Sequence, residues 1–255
     1  MSKKFRYQFK LIILFYLLPL FVLGQKTDYT KWNLKGKIKS IKELSYTAVE
    51  KDGKVQKDTL EFYYMNEFNS FGNKIKDTKY AFNGKVEKNY VYVFNKNHQR
   101  AEESQLLADN KLLRKIYYTY AKNGSLLQDS SAFASGKTDK VFKYYYDDKG
   151  NVIKDESYNA EGKLQKTFKH QYDANGNKIE SIKYNDANVA EKKTTFTYDK
   201  QNNLIEEVSF KPDNTQTGKT TYTYTYDKQN NWISKTKSVD GKIVNITERV
   251  LVYFE

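Results

Sequence analysis

The chain has 255 residues, no cysteine and a formal charge of +13. Without thiols it has no disulfide framework, no lipid-modified N-terminal cysteine, no thiolate nucleophile and none of the usual cysteine zinc sites. A basic balance suits nucleic acid, anionic lipid or acidic polysaccharide, but lysine also keeps β-rich surfaces soluble and their edges unpaired.

At the start of the chain, Lys3, Lys4, Arg6 and Lys10 precede an apolar run from Leu11 to Leu23, broken by Pro19 and followed by Gly24. Charge, a short apolar core and a small residue in that order predict a secretory signal peptide over residues 1–24, leaving a mature chain of 25–255. The run is shorter than the ~20 residues that span hydrocarbon, so no membrane span is expected in the mature chain. Loss of the leader leaves a charge of +9. Export sets nucleic acid aside as a partner.

From Trp32 onward one pattern returns. Tyr146-Asp147-Asp148-Lys149-Gly150-Asn151 is echoed by Tyr172-Asp173-Ala174-Asn175-Gly176-Asn177, and again from Tyr198 and Tyr226. Looser copies start at Phe68, Phe94 and Tyr120, so the anchors repeat every 26 residues with one step of 28. Trp32, 36 residues before Phe68, is a weaker first anchor, and Phe254 falls where a ninth is due. The repeat region thus runs over about 32–254 as eight units.

Each unit reads as two strands and two turns. In the fifth, 151–158 is one strand, Asn159-Ala160-Glu161-Gly162 a turn, and 163–172 the return strand. The fourth slot of the anchor turn holds Gly36, Gly72, His98, Gly124, Gly150, Gly176, Asn202 and Asn230. Glycine, asparagine and histidine tolerate positive φ best, so backbone geometry selects this slot.

The return strands alternate. Taking each anchor with the residues two and four before it, 18 of 24 positions are aromatic, including Tyr90, Tyr92 and Phe94, and Tyr222, Tyr224 and Tyr226. The same count takes Val250, Val252 and Phe254 as the last set, while the intervening positions are about half polar. A period of two puts the rings on one face of a strand and on no single face of a helix. The expected fold is therefore all-β: tandem antiparallel hairpins forming one long curved or rolled meander sheet, rings inward. About sixteen strands at ~4.8 Å would run roughly 75 Å if flat, and sheets of that size curl or close. An outer-membrane barrel needs a continuous lipid-facing apolar band, which the dense Lys, Glu, Asn and Thr argue against.

The motif Tyr-Asp-x-x-Gly-Asn followed by an aliphatic residue, at 146–153 and 172–179, resembles the YD (RHS) repeat. The resemblance implies a β-hairpin spiral such as the shells of RHS toxins and teneurins. Those proteins are far larger, their usual period is shorter, and no toxin domain follows Phe254 here. A looser likeness is to the hairpin repeats of MORN-variant, YwqK-type proteins. Neither implies a residue with a chemical role.

Chemistry-bearing patterns are sparse. His98 takes a turn slot and His170 an aromatic slot, 72 residues apart, and both have structural explanations. No nucleophile elbow, phosphate loop or zinc-protease helix occurs. The turn from Asp173 to Asn177 lacks the later bidentate glutamate of a calcium loop. No catalytic residue, metal ligand or cofactor is assigned. Rows of tyrosine suit interfaces, and Tyr222, Tyr224 and Tyr226 are the weak candidates for a ligand surface, although three rings per strand is also what a repeat core looks like.

The expected function is a non-enzymatic envelope or secreted scaffold that binds protein or glycan, with an anionic polymer as a further option. The alternative is a shell or accessory component of a polymorphic-toxin system. A carboxylate-based polysaccharide enzyme ranks last.

Overall fold

The computed structural model describes residues 27–255, so the leader expected over 1–24 lies outside the described residues. After one helical turn, α1 (Asp28–Lys31), come β1 (Ile38–Lys51), β2 (Lys54–Phe68), β3 (Lys74–Ala81), β4 (Val86–Phe94), β5 (Arg100–Leu107) and β6 (Leu112–Tyr120). Next are β7 (Leu126–Phe133), β8 (Thr138–Tyr146), β9 (Val152–Asn159), β10 (Leu164–Tyr172) and β11 (Lys178–Asn185). The last are β12 (Ala190–Tyr198), β13 (Leu204–Phe210), β14 (Gln216–Tyr226), β15 (Trp232–Val239) and β16 (Lys242–Tyr253).

Every strand pairs antiparallel with its sequence neighbours, and β1 also pairs with β16, from Ile38 opposite Tyr253 to Thr47 opposite Asn245. The sixteen strands therefore close into a barrel. The meander order is as expected, but the sheet is a closed barrel rather than the expected curved or rolled sheet. Closure gives β1 and β16 partners for edges that would otherwise present unpaired backbone groups.

The anchor turns behave as their residues require. Positive φ occurs at Gly36, Gly72, His98, Gly124, Gly150, Gly176, Asn202 and Asn230. In each full turn one hydrogen bond spans four residues and a second spans five, as in Gly150 N to Asp147 O and Asp147 N to Asn151 O, both 3.0 Å. That is a type I turn closed by a left-handed residue. The opposite rim repeats the device at Gly84, Asn110, Gly136, Gly162, Asn188 and Asn214.

The hairpins flanking the seam differ. Asp52-Gly53 and Asp240-Gly241 have positive φ at both residues, with Lys51 opposite Lys54 and Val239 opposite Lys242. These are two-residue turns of the mirror-image type that Asp-Gly favours.

Faces follow from pairing, because residues directly opposite share a side and neighbours along a strand alternate. Tyr144 lies opposite Asp155 and Phe142 opposite Ser157, while Tyr145 lies opposite Lys154 and Lys143 opposite Glu156. The first set joins the aromatic stripe and faces the lumen. The second faces out.

Two anchors need correction. On β16 it is Leu251 and Tyr253 that pack inward against the buried cluster of Leu34, Ile38, Ile41 and Phe68. Val250 and Val252 are 57% and 48% exposed, so the expected Val250, Val252, Phe254 set lies on the outer face. The two-residue turn at Asp240-Gly241 and the register shift between Lys237 and Ser238 change the phase of this strand. Trp32 is not a strand anchor but the C-cap of α1. Phe68, Phe94, Tyr120, Tyr146, Tyr172, Tyr198 and Tyr226 close their strands as expected.

Candidate functional site

The inner wall carries a ladder of polar rungs. Tyr92 donates to Asp77 (2.8 Å), Tyr118 to Glu103 (3.2 Å) and Tyr144 to Asp129, and His170 Nε2 meets Asp155 at 2.7 Å. Acid and partner are 15 residues apart in each rung. Because the repeat is 26 residues, consecutive rungs fall on consecutive hairpins. His170 thus takes the place of a tyrosine in this rung.

One step toward the anchor-turn rim, a second row of hydroxyls bonds the backbone of the directly paired strand, one strand back in the chain. Tyr120, Tyr146, Tyr172, Tyr198 and Tyr224 donate to the carbonyls of Arg100, Leu126, Val152, Lys178 and Leu204 at 2.7–3.0 Å. A buried phenol needs such a partner. The two extra residues in β14 place Tyr224 in this row and send Tyr226 on to Asp199.

Burial raises the hydroxyl pKa of Tyr92, Tyr118 and Tyr144, with the nearby carboxylates adding to the effect. Burial also raises the Asp77 carboxyl, against the pull of Lys74. It raises Asp129 too, opposed by the Tyr144 hydrogen bond and reinforced by Glu103 and Asp155. The rings are half-buried rather than packed solid, as expected inside a barrel of this strand number, where the wall does not fill the interior.

The segment before β1 crosses the anchor-turn rim. Asp28 Oδ2 accepts from Lys74 N and Arg100 Nη2, both 2.8 Å. Asn33 Nδ2 donates to Gln201 O at 2.7 Å, and Asn231 exchanges hydrogen bonds with the Lys35 backbone. One short strap therefore ties β3 and β5 to the β12–β13 and β14–β15 turns. Its Tyr29 and Trp32 rings pack on Phe68 at 5.3 and 6.0 Å.

Under the strap lies a charged, aromatic cluster. Arg100 bridges Asp28 and Glu103, and Lys74 pairs with Asp77. Arg249 bonds Glu43 at 2.8 Å and lies over Trp232 at 3.4 Å and Trp32 at 5.1 Å. A cavity of about 330 Å³ opens here, walled by strap and barrel side chains including Trp32, Asp77 and Arg100.

Sequence reasoning finds the rings but not this cluster. Its members sit on β1, β3, β5, β15, β16 and the strap, and only closure brings them all together. The weak candidates Tyr222, Tyr224 and Tyr226 line the lumen: Tyr224 packs on Trp232 at 6.0 Å, and Tyr226 bonds Asp199 at 2.6 Å. They form no open outer row. The Asp173 carboxylate is satisfied by its own turn, accepting from Asn175 N, Asn177 N and Asn177 Nδ2. His98 stacks on Phe71 at the rim, far in sequence from His170. Among the described residues no group of three or more His, Cys, Asp or Glu is placed to hold a metal ion.

Fold and site together define a closed hairpin-repeat barrel with a strapped rim and a polar, aromatic lumen. A family of unknown function (DUF2963) matches over residues 55–103. Comparison with curated proteins returns no match. Among solved structures, a porin-like protein from Bacteroides uniformis has a TM-score of 0.57 at 12% identity, with 86% of this chain and 98% of that chain covered. At that identity the likeness concerns the fold alone. A porin-like protein from Bacteroides vulgatus gives 0.39 at 10% identity, covering 85% of this chain and 98% of that chain. A Photorhabdus luminescens Tc holotoxin pore gives 0.33 at 18% identity, covering 82% of this chain and 11% of that chain. The chain therefore spans about a tenth of that toxin chain. Neither of these two weaker likenesses carries an argument, and the YD resemblance rests on the turn motifs themselves.

Proposed function

We propose that the protein is an exported, water-borne barrel of the cell envelope, a non-enzymatic scaffold that binds a glycan or protein on its lumen wall. The observation that carries this reading is the half-open inner wall, where tyrosine hydroxyls, carboxylates and two tryptophans stand in place of a packed apolar core. Tyrosine and tryptophan supply large contact areas with a polar handle, the chemistry of recognition surfaces. Both histidines have structural places, which supports a role without acid–base catalysis.

The outer face supports a barrel bathed in water. It carries ion pairs between Glu102 and Lys115 (3.2 Å), Lys154 and Glu156 (2.9 Å), and Glu206 and Lys219 (2.7 Å). Lysines also lie over outer rings, as Lys154 does over Tyr145 at 3.6 Å and Lys169 over Tyr184 at 4.7 Å. A lipid-facing strand would hold each such lysine at a cost of about 2–4 kcal/mol at mid-bilayer.

Fractionation of the producing cell tests the reading. The exported protein is expected in the alkaline-carbonate supernatant, without conductance steps in planar bilayers, and co-sedimenting with isolated envelope polymer. Carbonate-resistant membrane residence, channel activity or failure to bind any envelope fraction would overturn it.

A further inference from the structure

Three buried side-chain atoms among the described residues lack a hydrogen-bond partner: Asp77 Oδ1, His170 Nδ1 and Arg249 Nη1. Two of them belong to the cluster beneath the strap. Asp77 lines the 330 Å³ cavity with its side chain 6% exposed. Arg249, 7% exposed, holds Glu43 of the same cavity through Nε and leaves Nη1 unpaired. A buried acceptor or donor left without a partner costs about 1–3 kcal/mol. An unpartnered buried acceptor on the wall of a cavity of ligand size, with a second unpartnered group behind Glu43, is a reason to look for a ligand.

The charges narrow its class. Lys74 pairs with Asp77, Arg100 with Asp28 and Glu103 at 2.8 and 3.2 Å, and Arg249 with Glu43 at 2.8 Å. Each carboxylate of the cavity wall already faces a cation. An anionic or cationic ligand would have to compete with one of these largely buried pairs, and breaking such a pair is unfavourable. What the wall offers is neutral hydrogen bonding: one acceptor at Asp77 and the phenol pair of Tyr64 and Tyr90, which bond each other. Burial pushes the Tyr90 hydroxyl up to about 12 and raises that of Tyr64, so both keep their protons. The rings of Trp32, Tyr64, Tyr90 and Tyr92 supply the apolar walls.

We propose that this cavity binds a neutral saccharide unit, whose hydroxyls bond Asp77 Oδ1 and the Tyr64–Tyr90 phenol pair and whose C–H faces lie against the aromatic lining. The inference rests on the reading that the lumen wall is the binding surface, and it names the ligand class and the place.

The mature chain can be titrated with maltotriose, cellotriose and triacetylchitotriose, beside trigalacturonate and the chitosan trimer as charged counterparts. Both tryptophans of the chain, Trp32 and Trp232, lie in this cluster, so their emission reports occupancy and calorimetry confirms it. Saturable binding of a neutral trimer is expected, weakened about tenfold in Asp77→Asn, a loss on the scale of one charge-assisted hydrogen bond. Tyr64→Leu, which removes a lining ring without touching an ion pair, gives a second reading should Asp77→Asn fail to fold. Val91→Ser on the outer wall should leave binding unchanged. No binding of any neutral trimer at millimolar concentration, or equal binding of the charged trimers, would overturn the proposal. If envelope polymer still co-sediments while the neutral trimers fail, this inference alone falls. If both fail, the lumen reading falls with it.

Discussion

Tyr253 donates its hydroxyl to Asp227 Oδ2, 26 positions behind it, and accepts from Asn231 Nδ2 at 2.8 Å. Tyr226 makes the same pair of contacts with Asp199 and Asn203. The last strand therefore meets the preceding anchor turn through Tyr253, one residue before the spacing places it. Tyr253→Phe keeps the ring and removes the bond, and should cost about 1–2 kcal/mol. Phe254→Ala, on a residue at the exposed chain end, should cost less than about 0.5 kcal/mol. Denaturant midpoints of the two variants check the assignment; the reverse order would restore Phe254 as the anchor.

The rim strap gives a second contrast. Gly72 has φ +80°, and a Cβ there would stand 2.8 Å from the Tyr29 ring. Gly162 has φ +76°, and a Cβ would meet nothing within 4 Å. Gly162→Ala should carry only the left-handed penalty, about 1–2 kcal/mol. Gly72→Ala should cost more and shift tryptophan emission, because Tyr29 and its neighbour Trp32 must move. Thermal melts and emission spectra of the pair decide the matter, and equal losses would separate Tyr29 from the turn.

Asn231 tests the latch itself. Its side chain is 1% exposed, accepts from Lys35 N at 2.7 Å and donates to Lys35 O at 2.9 Å and to the Tyr253 hydroxyl. Asn231→Ala leaves those groups unpaired and should lower stability by about 2–3 kcal/mol. Hydrogen exchange should then speed up at residues 27–36 ahead of the strands.

Glu156 supplies a pH signature on the outer wall. Burial opposes its ionisation, but hydrogen bonds from Tyr158, Lys154 and Tyr145 outweigh it and hold the carboxyl down to about 2. A folded carboxyl below its unfolded value of about 4.3 adds stability above that pH, and the gain disappears as pH falls from there toward 2. Glu156→Gln should therefore melt below the native chain at pH 6, and the gap should narrow between pH 4.5 and 2. A gap independent of pH would mean that the ionised form gains nothing from folding.

The strands, their period and the turn slots were legible because each is local. Alternation at two sets the faces, and a left-handed residue in a fixed slot sets the turns at Gly150, Asn202 and even His98. The Asp52-Gly53 and Asp240-Gly241 dipeptides also carried a readable signal: two-residue turns that differ from the internal hairpins and reset the phase of β16. Closure was not legible, since no local pattern says that Lys42 will lie opposite Val250. The Asp77, Arg100, Arg249 and Trp32 cluster inherits that difficulty, because it exists only once the ends meet under the strap. In the sequence Asp77, Arg100 and Arg249 look like the solvated charges of any lysine-rich sheet, and Trp32 like a repeat anchor.

Closure is tested most directly by the distance between β1 and β16. The native chain has no cysteine, so Lys42→Cys/Val250→Cys gives two unique labelling sites on the outer wall. Spin labels there should report a single short distance, below about 20 Å, as direct cross-strand neighbours require. A flat ribbon of sixteen strands would separate them by roughly 70 Å. A distribution without a short component would contradict the closed barrel.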